Sequence, residues 1–113
     1  MRDSAEEPDD LEKLFVERAN AGDVDGLVAL YEPGAVLVSD DGRQFTGTDQ
    51  IREFFIGFLM NRSPLAKSRQ SPALLCGEIA LTSSVHGNGE KSVEIARRQP
   101  DGRWLWAVDR FAV

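Results

Sequence analysis

The chain has 113 residues, of which 42% are hydrophobic and 28% charged, a composition that supports one folded domain with its own core. Aspartate and glutamate (19 residues) outnumber lysine and arginine (13), and the net charge of -6 argues against binding to nucleic acid or to an anionic membrane. A single cysteine excludes an intrachain disulfide and a multi-cysteine metal site, and no apolar run reaches the ~20 residues of a membrane span. We therefore expect a soluble cytoplasmic protein that binds a small molecule or another protein, without a metal ion or other cofactor.

The first part of the chain predicts a short lead-in and two helices. Residues 1–8 lack apolar periodicity and are expected to form a flexible lead-in, and their acidic character is unlike that of a signal or transit peptide. After Asp9, apolar residues recur at spacings of three and four as far as Ala21-Gly22, which is the pattern of one helix face. Asp23 predicts the N-cap of a shorter second helix, which Pro33-Gly34 should end.

The next part predicts a hairpin and a third helix. Residues 35–39 (AVLVS) predict a strand, and Asp41-Gly42 is a hairpin dipeptide that should turn the chain into a short return strand at residues 43–45. Thr48 predicts the cap of a helix from residue 49 to about residue 61. Its apolar face is broad and rich in aromatic residues, so we expect most of the helix to be buried.

The second half of the chain predicts strands joined by tight turns. The strand-like stretches are residues 66–70, 73–84, 90–99 and 103–112, and they are separated by residues rich in proline, glycine and asparagine. Tight turns join antiparallel neighbours, and helices that precede such strands in the chain favour an α+β fold. The sequence therefore predicts a single domain over residues 9–113, with three N-terminal helices packed on a curved, mostly antiparallel sheet.

Four segments are similar to those of one superfamily. Residues 21–27 (AGDVDGL) resemble its first interhelical turn, residues 30–36 (LYEPGAV) its helix-to-strand junction, residues 47–55 (GTDQIREFF) the start of its third helix, and residues 101–104 (DGRW) its last hairpin. On these segments the chain resembles the nuclear-transport-factor-2-like superfamily, which includes ketosteroid isomerases and SnoaL-like polyketide cyclases. The resemblance implies a cystatin-like cone, in which a curved sheet wraps around the long N-terminal helix and leaves a pocket open at one end.

The resemblance also allows the isomerase reaction to be tested residue by residue. Ketosteroid isomerases use a carboxylate base, a tyrosine donor and a protonated carboxylic acid as the second donor. Phe15 falls at the tyrosine position and Ser39 at the base position, and neither side chain can do the corresponding task. Glu94 falls at the position of the late-strand acid. We therefore expect no steroid isomerase activity.

What remains is a predicted pocket with aromatic walls and a few polar groups. Glu94 and Asp109 are the candidate catalytic residues, because two carboxyl groups in one apolar cavity raise at least one pKa and favour general acid action. The alternative is that Asp109 pairs with an arginine such as Arg97, Arg98 or Arg110, and Glu94 with a partner in solvent. The residues expected to contact a ligand are Phe15, Tyr31, Ser39, Phe55, Phe58, Ser92 and Phe111.

Strand alternation assigns faces to the remaining residues of chemical interest. With Asn88-Gly89 as a two-residue turn, residue 83 should lie opposite Glu94, and His86 should lie opposite Lys91 on the outer face. Cys76, in an apolar stretch, is expected to be a small buried hydrophobe rather than a nucleophile. Trp104 and Trp106 also fall on the outer face, unless a bulge in their strand turns them towards the pocket.

The outer face would then carry a large apolar patch formed by residues such as Val93, Ile95, Trp104 and Trp106. We expect a second copy of the chain to cover it in a two-fold homodimer, as is common in the superfamily. The favoured function is a domain that binds a small apolar or aromatic molecule. The alternatives are an enzyme of the isomerase, cyclase or hydratase kind that needs no cofactor, and a dimeric scaffold for protein interactions.

Overall fold

The computed structural model describes residues 3–60 and 64–113, in which three helices and six strands form. The helices are α1 (Asp10–Asn20), α2 (Val24–Val28) and α3 (Gly47–Met60). The strands are β1 (Tyr31–Val38), β2 (Gln44–Thr46), β3 (Arg69–Cys76), β4 (Ile79–Val85), β5 (Lys91–Arg98) and β6 (Trp104–Arg110).

The strands form one curved, open sheet with the order β2-β1-β6-β5-β4-β3. β1 and β6 are parallel, and the other neighbours in this order are antiparallel. The predicted α+β class, with helices packed on a mostly antiparallel sheet, is confirmed. The last strand in the chain, β6, therefore lies in the middle of the sheet.

The first two helices begin where the sequence predicts, but the second ends early. The side chain of Asp23 accepts a hydrogen bond from the backbone N–H of Gly26 at 2.9 Å and caps α2. α2 stops at Val28, so the prediction that Pro33-Gly34 ends this helix is wrong. The chain enters β1 at Tyr31 because the backbone of β6 pairs with it there, and the register irregularity that follows Tyr31 accommodates Pro33-Gly34 within the strand.

The predicted stretch of residues 73–84 is two strands. Gly77, with a φ of +61°, turns the chain between β3 and β4, a conformation that glycine adopts without strain. β3 continues through Pro72 because it is an edge strand with a bulge between Ser71 and Leu74, where a missing N–H costs no ladder bond. Cys76 is exposed at the end of this edge strand, so the prediction of a buried cysteine is wrong. The predicted end of the third helix, at residue 61, lies outside the described residues.

The turn between β4 and β5 contains three residues rather than two. The backbone N–H of His86 donates to the carbonyl of Glu90 at 2.8 Å, and Gly89 has a φ of +86°. Thr82, not residue 83, therefore lies opposite Glu94. The additional turn residue also places His86 on the inner face, so the prediction of an outer-face histidine is wrong.

A bulge in β6 reverses the faces of its first half. Ile95 pairs with Val108 and Ala96 pairs with Trp106, so Ala107 is the extra residue. Trp104 and Trp106 consequently face the core, and Trp106 is only 1% exposed. The prediction of an outer-face tryptophan pair is wrong for this reason, and the bulge named as its alternative is present.

The core lies between the sheet and the helices and is largely aromatic. Phe55 of α3 is fully buried, and its ring centre lies 5.9 Å from Phe15 and 5.8 Å from Tyr31. In the predicted lead-in of residues 1–8, Ala5 is buried, and its carbonyl accepts a hydrogen bond from the N–H of Trp104. No helix in the described parts of the chain has both the length and the apolar character needed to cross a membrane.

Replacing Phe55 by alanine should destabilise the fold far more than the same truncation at the next residue. Phe55→Ala empties a fully buried site and should lower the free energy of unfolding by about 3–5 kcal/mol. Ile56→Ala, at a half-exposed position on the same helix, should cost less than about 1 kcal/mol. Urea denaturation followed by circular dichroism measures both values, and equal losses would contradict the core described above.

Candidate functional site

A cavity of about 440 Å³ opens between α1, α3, the segment before β3 and the inner face of the sheet. The segment before β3 and the start of β3 are hydrogen-bonded to the two ends of α1. The amide of Asn20 exchanges two hydrogen bonds with the backbone of Leu65, at 2.7 and 3.0 Å, and Gln70 donates to the carbonyl of Asp9. These bonds fix one wall of the cavity, because they tie a stretch without regular structure to a helix.

Four aromatic side chains form much of the remaining wall. They are Phe15 of α1, Phe58 of α3, Trp106 of β6 and Phe111 just after β6. The ring centre of Phe15 lies 5.9 Å from that of Trp106 and 6.2 Å from those of Phe58 and Phe111, in edge-to-face arrangements. Phe15 therefore joins the helical and sheet walls into one aromatic surface.

Three carboxyl groups reach the cavity from three different elements: Glu12 from α1, Glu94 from β5 and Asp109 from β6. Glu94 and Asp109 are direct cross-strand neighbours on the inner face. Each group has a hydroxyl donor. Tyr31 donates to Asp109 at 2.5 Å, Thr82 to Glu94 at 2.7 Å and Ser68 to Glu12 at 3.0 Å.

Burial raises the pKa values of all three carboxyl groups. The pKa of Glu12 rises from 4.5 to about 7, chiefly because of burial and further because of the charge of Glu94, against the opposing hydrogen bond from Ser68. Burial, with the charge of Glu94 in addition, raises the pKa of Asp109 well above its ordinary value. The pKa of Glu94 is raised by burial and moderated by hydrogen bonds from Ser92 and Thr82. Asp109 therefore keeps its proton to a higher pH than an ordinary aspartate does.

The arginines considered as partners of Asp109 lie elsewhere. Arg97 forms an ion pair with Glu32 at 3.1 Å, and Arg98 approaches Glu78 at 3.8 Å; both arginines are exposed. The lining formed by the described residues contains no lysine or arginine. Burial and neighbouring acids raise the pKa of Tyr31 well above 10, so the phenol remains a neutral donor to Asp109.

The structure brings together six of the nine residues predicted for the site. Glu94, Asp109, Phe15, Phe58, Ser92 and Phe111 line the cavity. Tyr31 and Phe55 are buried behind this lining, where the phenol of Tyr31 donates to Asp109 and its ring packs against Trp106. Ser39 lies in the β1–β2 turn, where its hydroxyl donates to the carboxylate of Asp41, and it does not reach the cavity.

The lining residues that sequence reasoning missed include Glu12, His86 and Trp106. Glu12 precedes Phe15 by one helical turn, so helical spacing could have placed both on one face. His86 Nε2 lies 2.9 Å from the hydroxyl of Ser92, at the cavity rim, and only the length of the turn decides this position. In the described parts of the chain, no group of three or more histidine, cysteine, aspartate or glutamate side chains is arranged to hold a metal ion.

The sequence pattern of one domain family covers almost the whole of this structure. The model of the SnoaL-like domain matches residues 13–113, which include most of α1, the complete sheet and every carboxyl group of the cavity except Glu12. The chain belongs to the SnoaL-like family. The resemblance to the nuclear-transport-factor-2-like superfamily is thereby confirmed. No curated protein matches this SnoaL-like chain.

Solved structures of similar fold support the same assignment. A ketosteroid isomerase-like protein from Erwinia carotovora atroseptica has a TM-score of 0.78 at 15% identity, over 91% of this chain and 90% of that one. An NTF2-like protein of unknown function from Pseudomonas putida has a TM-score of 0.73 at 18% identity, with 92% and 82% covered. A protein of unknown function with a cystatin-like fold from Nostoc punctiforme gives 0.71 at 18% identity, with 90% and 84% covered. At these identities the likeness concerns the fold alone.

The raised pKa of Glu12 predicts how stability changes with pH. The folded protein holds this proton up to about pH 7, whereas the unfolded chain releases it near pH 4.5, so the wild type loses stability as the pH rises between these values. Glu12→Gln removes this loss. Its stability relative to wild type should therefore increase by up to roughly 3 kcal/mol between pH 4.5 and 8.

Urea denaturation at a series of pH values measures this difference. Glu17→Gln, at an exposed position of the same helix, is the matched control and should follow the wild-type curve. A Glu12→Gln curve parallel to that of the wild type would show that this carboxyl group titrates normally.

Proposed function

We propose that this SnoaL-like domain binds a small apolar or aromatic molecule in the cavity between α1, α3 and the sheet. The observation that carries the proposal is the composition of the cavity wall, in which aromatic rings surround a few buried polar groups. Ligand sites in proteins are typically concave, predominantly apolar and supplied with a small number of oriented polar groups.

The size and polarity of the cavity support this function over a purely structural one. Its volume of about 440 Å³ lies within the range of roughly 300–1,000 Å³ that is usual for small-molecule sites. Each of the three buried carboxyl groups lowers the stability of the fold, because burial removes it from water. A role in ligand binding would explain why the protein retains them. Apolar side chains of similar size would give a more stable core at the same positions.

A substitution that fills the cavity should abolish binding of a neutral aromatic probe. Val16 lines the cavity from α1, and Val16→Phe should weaken the binding of 1-naphthylmethanol at least about tenfold by occupying its space. Ile56→Phe adds a similar ring at an exposed position of α3 and should bind the probe as the wild type does. Isothermal titration calorimetry measures all three affinities.

Equal binding by the two variants would mean that the probe binds outside this cavity. Thermal denaturation of each variant provides the control for folding. Native mass spectrometry of the protein purified from cells would also detect a retained molecule and give its mass.

An enzymatic function is the second candidate, and the pairing of Glu94 with Asp109 favours it. Asp109 lies beside Glu94 and accepts a hydrogen bond from the phenol of Tyr31. Burial raises the pKa of Asp109, which favours the protonated form that a general acid needs. Isomerase, cyclase and hydratase reactions can proceed by general acid catalysis from such a group without a cofactor. Steroid isomerisation remains unexpected, because Phe15 lacks a hydroxyl group and Ser39 lies away from the cavity.

We also propose that the chain forms a homodimer through the outer face of its sheet. With the tryptophans in the core, the apolar surface of the outer face is centred on one cross-strand row, beside which lie the exposed Ile79 and the half-buried Val93. The row runs through Leu74, Leu81, Ile95 and Val108, whose side chains are all exposed. Apolar side chains in contact across four strands favour burial against the same row of a second copy.

A charge in the centre of this row should separate the dimer. Wild-type protein should sediment at about 25 kDa, twice the chain mass of 12.5 kDa, and Ile95→Glu should sediment at the mass of one chain. Met60→Glu, at an exposed apolar position on α3, is the matched control and should remain dimeric. Sedimentation velocity at micromolar concentration gives the masses, and a monomeric wild type would contradict the proposal.

A further inference from the structure

We infer that the ligand of this cavity is an organic cation, namely an amine carried on an apolar or aromatic skeleton. The inference rests on the proposed function, since it names the chemical class of molecule that the cavity would bind. Three features carry it: an excess of acidic groups over basic ones, the aromatic walls beside them, and an indole N–H without a partner.

The first feature is an imbalance of charge. Glu12, Glu94 and Asp109 converge on one cavity from three elements, and the lining formed by the described residues offers no lysine or arginine to balance them. Carboxylates in an apolar environment are stable only when a proton or a cation compensates their charge. A bound ammonium group supplies this charge and can donate to more than one carboxylate. With a neutral ligand, protons must compensate the charge instead, and an anionic ligand adds further negative charge.

The second feature is the type of surface beside the acids. Phe15, Phe58 and Trp106 line the same cavity. The ring centre of Phe15 lies 6.2 Å from that of Phe58 and 5.9 Å from that of Trp106. Aromatic faces attract cations, and the attraction is strongest where water is excluded. The rings also bury the apolar skeleton of an amine while the carboxylates hold its charged end.

The third feature is independent of the acids. Trp106 lines the cavity, and its indole Nε1 is buried without a hydrogen-bond partner among the described residues. A buried donor left unpaired is costly, and the indole can only donate. A ligand oxygen within reach of Nε1 would remove that cost. The structure therefore favours an amine that carries a hydroxyl or carbonyl group on the same skeleton.

Binding of such a cation should depend on pH. The titratable groups that face it are Glu12 from α1, Glu94 from β5 and Asp109 with its partner Tyr31 on the sheet, together with His86 and Glu90 at the rim. An ammonium group favours the ionised carboxylates, so its binding releases protons. Affinity should rise with pH through the pKa of Glu12, which is about 7, and fall only when the amine itself loses its proton, at a pH of roughly 10.

Three probes with the same ring system separate charge from shape: 1-naphthylmethylamine, 1-naphthylmethanol and 1-naphthoate. Isothermal titration calorimetry at pH 8 should give an affinity for the amine at least about tenfold above that for the alcohol, and the carboxylate should bind most weakly. Titrations in two buffers of different ionisation enthalpy should show that the amine releases protons on binding and the alcohol does not.

Substitutions test which groups recognise the charge. Glu12→Gln and Glu94→Gln should each weaken amine binding about tenfold and change alcohol binding less than about twofold. Glu17→Gln, exposed on the same helix as Glu12, should change neither affinity. Arg62 lies outside the described residues, and Arg62→Gln should likewise leave the preference for the amine unchanged. Thermal denaturation confirms that each variant is folded.

The outcomes separate the two proposals. If wild-type protein binds the alcohol as tightly as the amine, the ligand is not a cation, although the cavity still binds small molecules. The same conclusion follows if only the Arg62→Gln variant, and not the wild type, binds the amine more tightly than the alcohol. If none of the three probes binds wild-type protein, both the ligand class and the proposed function fail. Amine binding that both glutamine variants leave unchanged would place the cation outside this cavity.

Discussion

The extra residue in β6 determines which side chains meet inside this protein. Trp106 and Asp109 are three positions apart and would face opposite sides of a regular strand, but the bulge at Ala107 brings both to the inner face. Trp106 then packs against Phe15 and Tyr31, with ring centres at 5.9 and 5.3 Å. Asp109 receives the hydrogen bond of Tyr31 and lies beside Glu94. A strand without the bulge could present either the tryptophan or the acid to the cavity, but not both.

The sequence predicted the elements well because their boundaries are encoded locally. Asp23 bonds to the backbone three residues later, and Asp41-Gly42 supplies the turn conformation that joins β1 to β2. The apolar periodicity of α1 matches the face that it buries. α3 buries only Ile51 and Phe55 fully, so the prediction that most of this helix is buried is wrong. None of these signals depends on a distant part of the chain, and together they were sufficient for the fold class and the family.

The faces of the strands were harder to predict, because they depend on counting residues across turns and bulges. One additional residue in the β4–β5 turn moved His86 to the inner face, and one in β6 did the same for both tryptophans. Glu94 and Asp109 do lie on the predicted inner face. β5 itself has no extra residue between the Asp101-Gly102 turn and Glu94, and the face of Asp109 was taken from the resemblance rather than from a count across the bulge. Glu12 was missed for another reason. A charged residue on a helix is usually solvated, and only packing against the segment before β3 buries this one.

The position of β6 in the sheet has a consequence for how the protein folds. This strand is formed late in the chain but lies between β1 and β5, so it joins the two parts of the sheet. The Tyr31–Asp109 bond closes a loop of 78 positions, and the β1–β6 pairing spans a similar distance. Contacts between remote parts of a chain cost loop-closure entropy before they contribute stability, and they slow folding. The cavity and the cooperative core should therefore appear in the same late step, since both require the strand that carries Trp106 and Asp109.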